Sequence, residues 1–242
     1  MDAQGILAGQ RALVTGAGRG IGRAIAVALA GHGCAVALVA RTAAELDDAA
    51  AACRAAGAPV ATTHVVDLAD GGAVDALAAQ LVEGGGVDVL INNAGAYSLG
   101  NALDGDPDEW TALMAVDVLA PMRLTRRLAP GMVARERGTI VNIGSVAAVE
   151  PMKGPGAYAA AKHALRGWSL SCYERLREHG VKVVLVNPAY VATPMTAGVP
   201  GIRHDRLLGV DDVTAAAMLA LTTSAACCPQ EITLRLTRRA DA

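Results

Sequence analysis

The chain has 242 residues, 53 % of them apolar and 18 % charged, with a formal net charge of −2. That length suits one α/β domain with a sizeable core. The near-neutral balance speaks against the strongly basic face of a nucleic-acid binder, and the absence of Phe speaks against an aromatic-lined groove. The basic clusters Arg123, Arg126, Arg127 and Arg235, Arg238, Arg239 read as solvated surface.

Residues 1–11 carry no basic segment followed by a long apolar one, so no signal peptide is expected. Strand-like and helix-like stretches then alternate. A strand at 11–15 leads to a helix at 20–32, a strand at 34–39 and a helix to 56. The uncharged run 24–40 is broken by Gly31-His32-Gly33, and so reads as two core elements rather than a membrane span. A strand at 60–66, a helix to 83 and a strand at 87–91 follow. A long helix starts at Pro107, with Asp106 as N-cap and Asp108 and Glu109 in its first turn. The pattern continues with a strand at 139–143, a helix at 156–179, a strand at 181–186, a helix at 211–224 and a strand at 231–236. The strands are short and apolar without alternation, as expected when both faces are covered. Together these elements predict one domain over 1–242: a doubly wound, Rossmann-type α/β fold, a parallel sheet of about seven strands with helices on both faces.

Metal and disulfide chemistry find little support. In the acidic stretch 104–108, read as a calcium loop, Glu109 falls where Gly is needed and Ala115 where Glu is needed. Histidines 32, 64, 163, 179 and 204 lack ligand spacing, and cysteines 34, 53, 172, 227 and 228 are odd in number with no C-x-x-C. No metal site is expected. The thiols fit a reducing compartment, and the chain reads as soluble and cytoplasmic, with no membrane or nucleic-acid partner.

The chemistry concentrates where strands hand over to helices. Thr15-Gly-Ala-Gly-Arg-Gly-Ile-Gly22 follows the first strand. A turn without side chains, feeding a helix N-terminus with free amides, is what close approach of a pyrophosphate needs. The pattern is T-G-x-x-x-G-x-G, because Ile21 occupies the place that would make it G-x-G-x-x-G. Five further landmarks arrive in order: Asp67-Leu68, Asn92-Asn93-Ala94-Gly95, Ser145, Tyr158-x-x-x-Lys162 and Asn187-Pro188. In these motifs the chain, over residues 10 to about 236, resembles the compact branch of the short-chain dehydrogenases/reductases. The resemblance implies an enzyme that moves a hydride between a nicotinamide cofactor and a carbonyl or alcohol. It implies cofactor contacts from Gly16, Gly18, Arg19, Gly20, Ile21 and Gly22, from Asp67 to the adenine amino group, and from Leu68, Asn93, Ala94, Gly95, Pro188, Val191 and Thr193. It also implies a dimer or tetramer built through the helices near 107–134 and 156–179.

NADP(H) is the expected cofactor. The second strand ends at Ala40-Arg41 without the acid that accepts from a ribose 2′-hydroxyl. Arg41 can instead clamp a 2′-phosphate, with Arg19 reaching it from the other side. For catalysis, a carbonyl gaining hydride needs a proton, and an ammonium beside a tyrosine favours the phenolate. Tyr158 and Lys162, four apart on a predicted helix, face one direction, so Lys162 can bias the phenol and hold the nicotinamide ribose. Ser145, at the end of the fifth strand, can donate to the carbonyl oxygen.

Two positions depart from the family pattern. Where the family commonly has an Asn that helps hold a water beside the lysine, this chain has Asp117. Either the backbone carbonyl holds the water and the change is silent, or the carboxylate points at Lys162, cancels part of its pull on Tyr158 and raises the pH optimum. Ala189 follows Pro188 where Gly is usual, and asks for an ordinary backbone conformation.

The substrate pocket is expected from Tyr97 and Ser98, from 146–155 and from a short lid at 194–209, with Met195 as an apolar contact. The ending Glu231 to Thr237 resembles that of some NADP-dependent aldehyde and hydroxy-acid enzymes, with Leu236 in place of Pro. The expected reaction is NADPH-dependent reduction of a ketone or aldehyde. A 3-oxoacyl reductase or alcohol dehydrogenase of the same family is the nearer alternative. A non-catalytic NADP(H)-binding sensor is the alternative from another class, disfavoured by the intact Ser-Tyr-Lys set.

Overall fold

The computed structural model describes residues 5–240 except 102, 153 and 200. Lys153 in the expected pocket wall and Pro200 in the expected lid therefore lie outside the described residues. Strands β1 (Arg11–Thr15), β2 (Ala35–Ala40), β3 (Ala61–Val65), β4 (Val89–Asn92), β5 (Gly138–Ile143), β6 (Val181–Pro188) and β7 (Glu231–Leu234) form one sheet. Its order is β3-β2-β1-β4-β5-β6-β7, parallel throughout. The chain order reverses between β1 and β4, the switch point where open α/β sheets bind ligands.

Successive strand residues point to opposite faces, and the core divides accordingly. Val14, Leu38, Ile91, Val141 and Val184 pack against α1 (Gly20–Gly31), α2 (Ala43–Ala56) and α7 (Val210–Thr222). Leu13, Val39, Leu90, Ile140 and Val183 pack against α3 (Gly71–Glu83), α5 (Ala120–Ala134) and α6 (Gly156–Leu176). A smaller cluster of Leu113, Val118 and Ala161, with Tyr158 partly buried against it, seats α6 on α4 (Pro107–Met114). Among the described residues no helix is long and apolar enough to cross a membrane.

Two expectations are corrected. The covered-strand pattern fails at β3, whose residues Thr62, Thr63 and Val65 are exposed. It is the sheet edge, flanked by β2 alone, and its threonines and histidine suit one wet side. The long helix from Pro107 is also not continuous. Asp106 caps it as expected, accepting from Asp108 N, but a π-helical segment, Ala115–Leu119, separates α4 from α5. At this junction Pro121 has no N–H to return to the carbonyl four residues back, that of Asp117, so one bond of the regular ladder is missing there.

The segment after β6 leaves and returns at one place. Ala192 N donates to Leu208 O and Leu208 N to Tyr190 O, so the expected lid is tied at its base. Ala189 N donates to Leu234 O at 2.8 Å, and among described non-glycine residues only Glu136 has positive φ. Ala189 thus takes the ordinary backbone its side chain requires.

Candidate active site

A cleft of about 390 Å³ opens beyond the carboxyl ends of the strands. Its wall takes Gly16, Gly18, Arg19, Gly20 and Ile21 from the turn after β1, Arg41 after β2, and Asp67 and Leu68 after β3. Asn93, Ala94 and Gly95 follow from β4, Ser145 from β5, Tyr158 and Lys162 from α6, and Pro188, Val191 and Thr193 from the end of β6 and beyond. Two expected site residues lie behind this surface. Gly22 is buried inside α1, and Asp117 is fully buried behind Lys162.

The glycines of the first turn are demanded by what surrounds them. Gly16 has φ +64°, and a Cβ there would stand 2.8 Å from Asn93 Nδ2 and 2.9 Å from Ala94 Cα; one on Gly22 would collide with the Gly16 carbonyl. The turns after β1 and β4 are clasped together. Thr15 Oγ1 accepts from Asn93 N at 3.0 Å and Ala94 N at 3.1 Å, while Asn93 Nδ2 donates to Thr15 O at 2.9 Å. The Asn93 amide therefore builds the turn. The helix that follows is left open at its start. Asp70 and Asp106 cap α3 and α4, but Arg19 gives α1 no side-chain cap and its first turn holds no acid. An uncapped helix N-terminus bordered by glycines attracts a phosphate through free amides and the helix dipole. These residues fit the pyrophosphate of a dinucleotide.

At the far end of the cleft Arg41 is exposed on the rim. Arg19 pairs with Glu45 at 3.3 Å, a surface contact worth little in water. Glu45, in the first turn of α2, also lines the cleft and was not anticipated from the sequence. Asp67 Oδ1 accepts from Ala69 N at 3.0 Å, shaping the turn after β3.

Around Tyr158 the groups converge. Ser145 Oγ accepts from Ala147 N at 3.1 Å, capping a 3₁₀ turn, which leaves its O–H able to donate. The Tyr158 ring meets Tyr97 edge-on, with centroids 5.1 Å apart, and Lys162 Nζ lies 5.5 Å from the Tyr158 centroid. Lys162 is buried; its Nζ is 2.9 Å from Asp117 Oδ2 and donates to Ile143 O at 3.3 Å. Asp117 Oδ1 accepts from Ala96 N at 2.6 Å. Of the two arrangements open to Asp117, its carboxylate takes the one facing Lys162. Burial alone would pull the Lys162 pKa down, but the charges of Asp117 and Tyr158 outweigh it, and the net shift is upward. The nitrogen is held as ammonium. Gly95 gives the pair room: a Cβ there would be 3.4 Å from Asp117 Oδ2 and 3.5 Å from Lys162 Nζ.

One network was not legible beforehand. Arg166, one turn beyond Lys162 on α6, makes a bidentate pair with Glu231 at 2.8 and 2.9 Å. Glu231 Oε1 also accepts from Asn187 Nδ2 at 2.8 Å, and Asn187 Oδ1 accepts from Ser145 N at 3.2 Å. The helix that carries Tyr158 is thereby linked to the turn that carries Ser145. The i, i+4 step from Lys162 was a signal for Arg166, but its partner lies 65 residues away in sequence. Arg166→Ala is expected to lower kcat about tenfold with cofactor affinity little changed, and Arg166→Lys to restore only part, since an ammonium cannot replace the two-pronged contact. Steady-state kinetics of both variants checks this; wild-type kcat in the alanine variant would remove the network from catalysis.

No cluster of three or more metal-ligating side chains occurs among the described residues. All five cysteines are free thiols. Burial and nearby Asp88 push Cys34 up to about 12, and burial pushes Cys172 up to about 11, so neither acts as a thiolate at neutral pH.

The doubly wound sheet, the side-chain-free turn at its switch point and the Ser-Tyr-Lys group at one end of the cleft together match a Rossmann-like α/β class. Residues 10–201 match the short chain dehydrogenase family, and the chain belongs to that family. It is 31 % identical over 209 residues to the dehydrogenase/reductase SDR family member 7B of Bos taurus, covering 84 % of this chain but 64 % of that protein. It is 38 % identical over 192 residues to galactitol 2-dehydrogenase (L-tagatose-forming) of Cereibacter sphaeroides, covering 78 % and 74 % of the two chains. Among solved structures, a metagenomic short-chain oxidoreductase in complex with NADP superposes with a TM-score of 0.83 at 38 % identity, covering 97 % of this chain and 100 % of that one.

Proposed function

We propose that this protein is an NADP(H)-dependent oxidoreductase that reduces a ketone or aldehyde to an alcohol, with Tyr158 as general acid. The observation that carries the reading is the buried Lys162 ammonium beside the Tyr158 ring, at one end of a cleft whose other end is the uncapped N-terminus of α1. The NADP held by the metagenomic relative supports the choice of cofactor.

Bound in this cleft, NADPH supplies the hydride. The chain's residues do the rest. Amides of Gly18 to Gly22 hold the pyrophosphate, and Asp67 accepts from the adenine. Arg41 takes the 2′-phosphate, with Arg19 joining when it leaves Glu45. Lys162 holds the nicotinamide ribose, and Pro188, Val191 and Thr193 border the nicotinamide. Ser145 donates a hydrogen bond to the substrate carbonyl, stabilising the charge that develops on its oxygen. Tyr158 delivers the proton to that oxygen, and Lys162 stabilises the phenolate left behind.

The test is oxidation of NADPH and of NADH, followed at 340 nm, against a panel of ketones and aldehydes. NADPH consumption with at least one carbonyl class is the expected result; tight NADPH binding with no turnover on any would favour a sensor. Arg41→Ala is expected to weaken NADPH about 10- to 100-fold, the loss of charge-assisted hydrogen bonds, and to leave NADH nearly unaffected. Equal losses for both cofactors would overturn the assignment of the 2′-phosphate to Arg41.

A further inference from the structure

We infer that the carbonyl substrate is apolar, an alkyl or aryl ketone or aldehyde rather than a polyhydroxylated one. This rests on the carbonyl-reduction reading above and adds the substrate's chemical class. The wall on the Tyr158 side of the cleft comes from three loops: Tyr97 after β4, Val146 and Met152 after β5, and Tyr190, Met195 and Val199 after β6. The charged lining side chains Arg19, Arg41, Glu45 and Asp67 all belong to the opposite end. On the substrate side the one charged lining residue among those described is Lys162, already paired with Asp117.

Four other polar side chains of the same loops are engaged by the protein itself. Ser98 Oγ donates to Glu109 Oε2 and accepts from Gly100 N. Asn101 Oδ1 accepts from Leu103 N and Asp104 N. Thr196 Oγ1 donates to Val191 O at 2.6 Å. Glu150 pairs with Arg235.

The same loops also carry exposed apolar side chains. Leu99 is 57 % exposed, Leu103 92 %, Val149 38 % and Met195 47 %. All four lie on the three loops that wall the substrate side. Of these four, Met195 also lines the cleft. A polyol, the kind of substrate for which the Cereibacter relative is named, would bring several hydroxyls into this wall. Each hydroxyl buried without a partner weakens binding about 10- to 100-fold. Each added methylene, by contrast, strengthens it about three- to fourfold.

The experiment measures kcat/KM of the purified full chain with saturating NADPH. It compares a homologous series of 2-alkanones and acetophenone with a pentulose matched in length to 2-pentanone. The expected result is a preference for 2-pentanone over the pentulose of about 100-fold or more, with kcat/KM rising along the series. Met195→Ser should flatten that rise, compared within the variant itself, while NADPH fluorescence shows that the cofactor still binds. A pentulose turned over as well as 2-pentanone, or no dependence on chain length, would overturn the apolar assignment and leave carbonyl reduction standing. No NADPH consumption with any carbonyl would bring down the carbonyl-reduction reading, and this inference with it.

Discussion

Tyr158→Phe is expected to lower kcat by about 10²- to 10⁴-fold, the usual contribution of a positioned general acid, while the Kd for NADPH changes by less than about twofold. The separation follows from what the substitution removes. A phenylalanine ring keeps the edge-on contact with Tyr97 and the place over Lys162, so the wall of the cleft retains its shape. The amides of the glycine turn and Arg41, at the other end, are untouched. Only the transferable proton is lost. Single-turnover NADPH oxidation with a competent ketone measures the chemistry, and fluorescence titration measures binding. More than a tenth of wild-type kcat in the variant would take the phenol out of the mechanism. A large rise in Kd would instead show that the ring's hydroxyl supports the cofactor.

Sequence and structure agree best where function needs residues close together along the chain. Tyr158 and Lys162 are set by one helical step, and the glycine turn by one strand-to-helix passage, so periodicity and spacing expose both. Asp106 and Pro107 announce the start of α4 by local capping chemistry alone. What stayed hidden depends on which distant elements become neighbours. The Arg166–Glu231 pair needs α6 and β7 to meet around β6, and neither residue has a local signal for that. Glu45 reaches the cleft because α2 begins beside the glycine turn; a Cβ on Gly18 would stand 2.9 Å from Glu45 Cβ. The exposure of β3 follows from its edge position, which its five residues do not state. The π-helical segment is a different case. The bond missing at Pro121 is the one to the carbonyl of Asp117, four residues earlier, a residue whose side chain has a separate role.

That side chain is the basis of the second large effect. Lys162 is buried and its pKa is raised above the ordinary 10.5 despite burial, with Asp117 the nearest opposing charge. The groups facing its nitrogen are the Asp117 carboxylate from the π-helical segment, the Ile143 carbonyl from β5 and Tyr158 from its own helix. Because the folded pKa is the higher one, the stabilisation from the ammonium is fully present below about 10.5 and is lost only as pH rises through the raised value. Asp117→Ala leaves that ammonium buried and alone, and is expected to cost about 3–5 kcal/mol of folding stability in urea unfolding at pH 7. Asp117→Asn keeps the shape and can still accept from Ala96 N, so its stability loss is smaller, but it removes the charge. Burial then dominates and pulls Lys162 below its ordinary value. The alkaline limb of the kcat–pH profile is therefore expected to move down by about one to three pH units. At neutral pH the asparagine variant should keep its activity or gain, because the carboxylate no longer cancels part of the positive potential Lys162 sets at Tyr158. Superimposable profiles for the two proteins, with unfolding free energies also unchanged, would mean that the 2.9 Å pair governs neither the lysine's charge nor its place in the reaction.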